Sequence, residues 1–148
     1  RLQSINLKVL LLNYYEDTRY SSSEMATHDK QCLPCIFVKD LVNCDTTNYD
    51  IICINEAQFF EDLIPFCKEQ LKQNKTLYVC GLDGDYKQEM FGDVLNLIPL
   101  CDSITKLHAF CKICKNGTHA HFTKRITLHS EQKLIGTDEY IPVCRKHI

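Results

Sequence analysis

From Lys8 the chain enters a short continuous apolar run, Val9-Leu10-Leu11-Leu12, the pattern of a strand buried on both faces of a parallel sheet. Polar residues dense in Ser, Thr and Asp follow from Glu16 to Gln31 and read as a long loop. Tyr49-Asp50-Ile51-Ile52-Cys53-Ile54 is a second buried strand. Residues 60–74 carry a helical period: Leu63, Ile64, Phe66, Cys67 and Leu71 share one face, while Lys68, Glu69, Lys72 and Gln73 take the other. Pro65 fits a first turn, where its missing N–H costs nothing, so the regular helix starts near it. Thr76-Leu77-Tyr78-Val79-Cys80 is a third strand, and Ile104–Phe110 is read as a fourth. Strand, helix and strand in alternation predict an α/β fold on a parallel sheet. Phe60, Leu77 and Val79 are core positions, and Cys53, Cys67 and Cys80 are read as buried among them. After Cys111 no helical period survives. His119–Thr127 and Ile141–Val143 read as short strands among loops. The chain is therefore divided into an α/β part, residues 1–110, and a small loop-rich part, residues 111–148.

Composition agrees with one soluble globule: 148 residues, 45% hydrophobic and 24% charged. The net charge of −2 supplies no basic footprint for nucleic acid. No apolar run approaches the ~20 residues of a membrane span. No export signal opens the chain, so the ten cysteines read as thiols or metal ligands in a reducing, cytoplasmic setting rather than as disulfides. The lysines and arginines after residue 111 are spread out rather than gathered in a stripe.

Two of the cysteine pairs carry chemistry differently. Cys111-x2-Cys114 and Cys144-x2-His147, separated by 29 residues, supply four soft or borderline ligands from two tight turns. That set suits a tetrahedral zinc ion, and four protein ligands make it structural rather than catalytic. Zinc binding would also contribute folding energy to a segment too small for a core of its own. Cys32-x2-Cys35 lacks the strand-then-helix setting of a redox motif and reads as an incidental pair.

Asn55 and Glu56 close the second strand at its carboxyl end, where open α/β sheets place their ligand sites. Asn55-Glu56-Ala57-Gln58-Phe59-Phe60 resembles the D-E-x-Q-F-F signature of the type II thymidine kinases, the family of cytosolic, bacterial and poxvirus enzymes. Asp17-Thr18-Arg19-Tyr20-Ser21-Ser22, Thr27-His28-Asp29, Leu82-Asp83-Gly84, Phe91-Gly92 and Phe122-Thr123-Lys124-Arg125 match further family segments in the same order. The run from Tyr140 to His147 matches the last.

The resemblance implies a P-loop, RecA-like parallel sheet flanked by helices, with a zinc-ribbon lobe whose lasso loop covers the nucleoside. It implies transfer of the ATP γ-phosphate to the 5′-hydroxyl of thymidine, and of deoxyuridine, in nucleotide salvage for DNA synthesis. Glu56 aligns with the general base. Asp17, Arg19 and Asn55 align with positions at the phosphates and magnesium. Phe59, Leu82, Tyr86 and Phe91 align with the lining around the base. Thr123, Arg125, Leu134, Gly136 and Tyr140 align with the lasso segment, Tyr140 as its stacking ring. A homotetramer and feedback inhibition by thymidine triphosphate follow from the same likeness.

Three departures stand out. The family's magnesium aspartate is Asn55 here, which keeps an oxygen but loses the charge and predicts a raised magnesium requirement. Met90 replaces the usual Pro before Phe91-Gly92. None of the five glycines begins a phosphate loop. Family order puts that loop before Arg1, so these residues read as most of a larger kinase. A catalytically impaired kinase homologue and a nonenzymatic zinc-ribbon binding module are the competing readings. The second leaves Asp17-Thr18-Arg19 and Gln58-Phe59-Phe60 without a role.

Overall fold

Val9–Tyr14 forms the strand (β1) around which the sheet is built. In the computed structural model, which describes residues 6–17, 24–26, 32–128, 132 and 139–148, β1 pairs in parallel on both sides. Ile51–Ile54 (β5) lies against it with Val9 opposite Ile51 and Leu12 opposite Ile54. Ile36–Val38 (β4) takes its other edge with Leu12 opposite Ile36 and Tyr14 opposite Val38. Thr76–Val79 (β6) adds to β5, giving the order β4-β1-β5-β6. An interior parallel strand has no solvent face, which is why β1 and β5 read as runs of Leu and Ile rather than as alternation.

The parallel step from β5 to β6 needs a crossover, and helix α1 (Leu63–Lys72) supplies it. Leu63, Phe66 and Cys67 are buried against Leu10, Leu12, Ile52 and Ile54. Pro65 falls in the first turn, as its chemistry requires. Asp62 does not cap the helix with its side chain; its Oδ2 accepts the Val42 N–H at 2.7 Å instead. The far end closes in a Schellman motif. Asn74 takes the left-handed conformation (φ 56°), its N–H bonds the Leu71 carbonyl, and the Lys75 N–H bonds the Gln70 carbonyl. Gln70 is buried because its Oε1 accepts the Thr46 hydroxyl at 2.8 Å.

Two expectations are corrected. Ile104–Phe110 contributes no strand to the parallel sheet. Only Ala109–Phe110 (β7) is extended, and it pairs antiparallel with His119–Ala120 (β8). The fourth sheet strand is β4, too short for its period to register in the sequence. Cys80 is exposed and Cys53 is half-buried, so of the three cysteines assigned to the core only Cys67 is fully inside. β6 is the edge strand of the sheet, and Cys80 follows exposed Thr76 and Tyr78 at the same two-residue spacing.

Within the polar stretch Glu16–Gln31, Glu24–Ala26 (β2) pairs antiparallel with Cys32–Pro34 (β3). A 3-10 helix over Val94–Leu100 tucks Leu97 into the core. The C-terminal strands Phe122–Arg125 (β9) and Tyr140–Val143 (β10) form an antiparallel pair. Cys111, Ala120, Val143 and Cys144 make a second, separate buried cluster there. No described helix is long and apolar enough to cross a membrane.

Candidate functional site

The carboxyl ends of β1 and β5 bring Asn13, Asp17, Asn55 and Glu56 together. β1 runs out at Asn13 and Tyr14, and the chain turns back so that the Asp17 N–H bonds the Tyr14 carbonyl at 3.0 Å. The Asn55 N–H bonds the Leu12 carbonyl at 2.9 Å, holding Asn55 in step with β1. A directed relay joins the side chains: Asn55 Nδ2 donates to Asn13 Oδ1 at 3.0 Å, and Asn13 Nδ2 donates to Asp17 Oδ2 at 3.3 Å. Asn13 is 2% exposed and Asp17 is 8% exposed, so the inner part of this polar network is buried and hydrogen-bonded.

Glu56 has a left-handed backbone, φ 52° and ψ 39°, unusual for a non-glycine residue. That turn breaks the line of β5 and opens the 3-10 turn Ala57–Phe59. The Ala57 N–H on the Cys80 carbonyl at 3.0 Å holds the turn to the end of β6. The Glu56 carboxylate accepts Gln58 Nε2 at 2.6 Å, and Gln58 Oε1 accepts the Leu82 N–H at 3.0 Å. Gln58 is buried, so it fixes the carboxylate's direction and ties it to the loop after β6. Backbone strain of this kind costs on the order of 1–3 kcal/mol and persists only where neighbours over-determine it. Here they do: the Gln58 carbonyl lies where a Cβ on Gly92 would stand, at 2.1 Å.

The aromatic candidates sort into two groups. Phe59 and Phe91 meet edge to face, with ring centroids 5.4 Å apart, and Tyr14 lies 5.0 Å from Phe59. Tyr86 and Tyr140 instead flank Arg125, whose guanidinium carbon lies 3.8 Å from the Tyr86 centroid and 5.0 Å from that of Tyr140. Arg125 also donates to the Tyr140 hydroxyl. One face of Tyr86 is thus covered by a cation, a cation–π contact that links the residue 82–92 loop to β9 and β10. Leu82 and Thr123 both line a cleft of about 400 Å³. Arg19, Leu134 and Gly136 lie outside the described residues.

Asp85 organises the loop around that cleft. Its Oδ1 accepts the N–H groups of Lys87 and Glu89 at 2.8 and 3.0 Å, and its Oδ2 accepts Gln132 Nε2 at 2.8 Å. Burial pushes its pKa up, but these donors prevail and hold the carboxyl below its ordinary value. Asn13, Gln58 and Asp85 escaped the sequence reading as site residues. For Gln58 the signal was present, since it sits inside the signature motif. Asn13 was detectable only as a polar residue at the end of an apolar strand.

Cys111, Cys114, Cys144 and His147 converge, with ligand atoms all within 4.8 Å of one another. Cys114 and Cys144 sulfurs are 3.8 Å apart, and His147 Nδ1 lies 3.6, 3.4 and 3.4 Å from the sulfurs of Cys111, Cys114 and Cys144. A zinc tetrahedron has edges of about 3.8 Å between sulfurs and about 3.5 Å from sulfur to nitrogen. A disulfide would need about 2.05 Å. The set therefore fits a metal and not a bridge. Burial opposes a charged Cys111, but the N–H groups of Cys114, Cys144 and Ile113, together with His147, outweigh it and bring the thiol down to about 5. Burial, with Cys111 and Cys144 beside it, pushes the Cys114 thiol up instead, so a metal that binds this set displaces a proton there. The Lys115 N–H on the Cys111 carbonyl at 3.1 Å closes the turn that carries Cys111 and Cys114, and left-handed Lys115 (φ 52°) and Gly117 (φ 83°) lead the chain out of it.

The thymidine kinase family model matches residues 1–148. The chain is 45% identical to "Thymidine kinase" of Oryza sativa subsp. japonica over 94% of its own length and 54% of that protein. It is 39% identical to "Thymidine kinase, cytosolic" of Bos taurus over 98% of its length and 61% of that protein. It is 40% identical to "Thymidine kinase" of Yaba monkey tumor virus over 98% of its length and 80% of that protein. It thus spans between half and two thirds of the rice and bovine proteins.

Proposed function

Because the chain belongs to the thymidine kinase family, we propose that the full-length protein transfers the γ-phosphate of ATP to the 5′-hydroxyl of thymidine, and of deoxyuridine, giving the monophosphate for nucleotide salvage. The observation that carries this reading is the placement of Glu56. Its carboxylate stands at the carboxyl end of the central sheet, held by Gln58 at 2.6 Å on a turn that departs from the line of β5.

Glu56 is the general base. It takes the proton of the 5′-hydroxyl, and Gln58 keeps it aimed. Asp17, Arg19 and Asn55 serve the phosphates and their magnesium ion. Magnesium, when bound, neutralises charge that develops on the transferring phosphoryl group. The Asn55–Asn13–Asp17 relay turns both amide N–H groups toward Asp17, so the negative charge of this group is concentrated on that carboxylate. Phe59, Phe91 and Leu82 supply apolar walls for a flat base. Thr123, Leu134, Gly136 and Tyr140 close over it as a lasso, with Arg125 and Tyr86 bracing the closure through their cation–π contact.

In this reading residues 1–110 are the α/β core of a P-loop, RecA-like kinase, and none of their glycines forms its phosphate loop. Residues 111–148 are a zinc-ribbon lobe. Cys111, Cys114, Cys144 and His147 hold the structural zinc, which contributes folding energy and leaves no open position for substrate. The protein acts in the cytoplasm as a homotetramer and is inhibited by thymidine triphosphate. A second reading, a catalytically impaired homologue, rests on Asn55, which withdraws one charge from the magnesium site.

A nucleoside panel tests the proposal. The full-length protein with ATP and magnesium should phosphorylate thymidine and deoxyuridine and leave deoxycytidine unreacted. No turnover of any of the three by protein that retains its zinc would favour the impaired homologue.

A further inference from the structure

The hairpin β7–β8 carries three histidines that the kinase reading leaves without a role. Its register sets Ala109 opposite Ala120 and Phe110 opposite His119. One step further the same register puts His108 opposite His121. His119 and His121 are two residues apart, so they project from the same face of the strand. The three rings accordingly cluster, with centroids 4.0 Å apart for His108 and His119, 5.1 Å for His108 and His121, and 6.3 Å for His119 and His121. All three residues are exposed.

We propose that His108, His119 and His121 form a second metal site, a three-imidazole face for a borderline divalent ion such as zinc, cobalt or nickel. Three imidazoles on one tetrahedral ion, each nitrogen about 2.0 Å from the metal, put their ring centroids about 5 Å apart. The three spacings here bracket that value. Two histidines at i and i+2 on one strand and a third across from them need only side-chain rotation to point three nitrogens at one ion. That rotation is required, because among the described residues only the Cys111, Cys114, Cys144 and His147 set already has its ligand atoms within 4.8 Å. Imidazole is the ligand suited to these metals, and it binds them neutral. His108 already leans toward the neutral form: desolvation by the neighbouring side chains lowers its pKa, and so do His119 and His121 beside it.

The scaffold is rigid where it matters. The turn of this hairpin is the Cys111–Cys114 knuckle, and the Cys111 N–H bonds the Thr118 carbonyl at 2.7 Å. The first metal therefore braces the strands that present the second. His108 and His121 also line the cleft that Leu82 and Thr123 border, so an ion here sits at its rim and keeps a coordination position open to solvent.

A cobalt titration of the untagged full-length protein, stripped of metal under reducing conditions, distinguishes the two sites. The first equivalent should bring the thiolate-to-cobalt charge-transfer band of the cysteine site. A second equivalent should then bind without raising that band. The His108→Gln/His119→Gln/His121→Gln variant should keep the first equivalent, which reports an intact lobe, and lose the second. Binding that stops at one equivalent in the unaltered protein would overturn the proposal. So would a second equivalent that persists unchanged in the triple variant. Should that variant fail to take up the first equivalent, the single variants His119→Gln and His121→Gln decide by the same reading.

Discussion

Asn55 is the residue at which this chain departs most consequentially from its family pattern. Its amide donates to Asn13, and Asn13 donates to Asp17, so all three side chains are committed to one direction of hydrogen bonding. A carboxylate at position 55 would reverse the first link, because Asn13 would have to turn its N–H₂ toward it. Two acidic groups would then stand in this network where one does now. Asn55→Asp should lower the magnesium concentration needed for half-maximal turnover. Magnesium dependence and kcat both unchanged would show that the position does not serve the metal. The nearness of Asp17 and Asn55 was legible in the sequence only as two segments of one family motif set, and the fold brings them to one end of the sheet. Asn13 and Gln58 were not legible, because each acts through a partner that only the fold brings near. The assignment of Cys80 to the core failed for a related reason: the apolar run does not record that β6 is an edge strand with Thr76 and Tyr78 exposed.

The turn from β5 into α1 is the element on which the site depends, and Gly92 is packed into it. Gly92 has φ +57°, and a Cβ there would stand 2.1 Å from the Gln58 carbonyl oxygen. Gly117 offers the internal control, with φ +83° and nothing within 4 Å of its would-be Cβ. Both substitutions to alanine carry a left-handed backbone cost of about 1 kcal/mol or more. Only Gly92→Ala must also displace Gln58, and with it the Glu56 carboxylate. Urea unfolding should show Gly92→Ala losing clearly more stability than Gly117→Ala. Equal losses would contradict the close approach. The helix, its Pro65 start and strands β1, β5 and β6 were legible because long apolar periods announce them. The three-residue β4 was not, and Ile104–Phe110 misled because its apolar residues are spent on a hairpin and on an exposed connection rather than on the sheet.

At the scale of the molecule, two buried clusters serve two tasks. The sheet and α1 position a carboxylate at a strand end, and Cys111, Cys144, Ala120 and Val143 hold the C-terminal strands around a metal-binding set. The Tyr86–Arg125–Tyr140 contact joins the residue 82–92 loop to those strands. The convergence of Cys111, Cys114, Cys144 and His147 was legible as two x2 pairs. The contact that joins the loop to the strands was not, since the residues forming it are far apart in sequence.

In the proposed function this arrangement makes Glu56 the base of a thymidine kinase. The most direct measurement compares kcat and thymidine affinity of the full-length protein with those of its Glu56→Gln variant, which keeps the size of the side chain and removes its basicity. The account predicts a kcat lower by about 10²–10⁴-fold with thymidine binding retained. A variant that turns over at the unaltered protein's rate would contradict it.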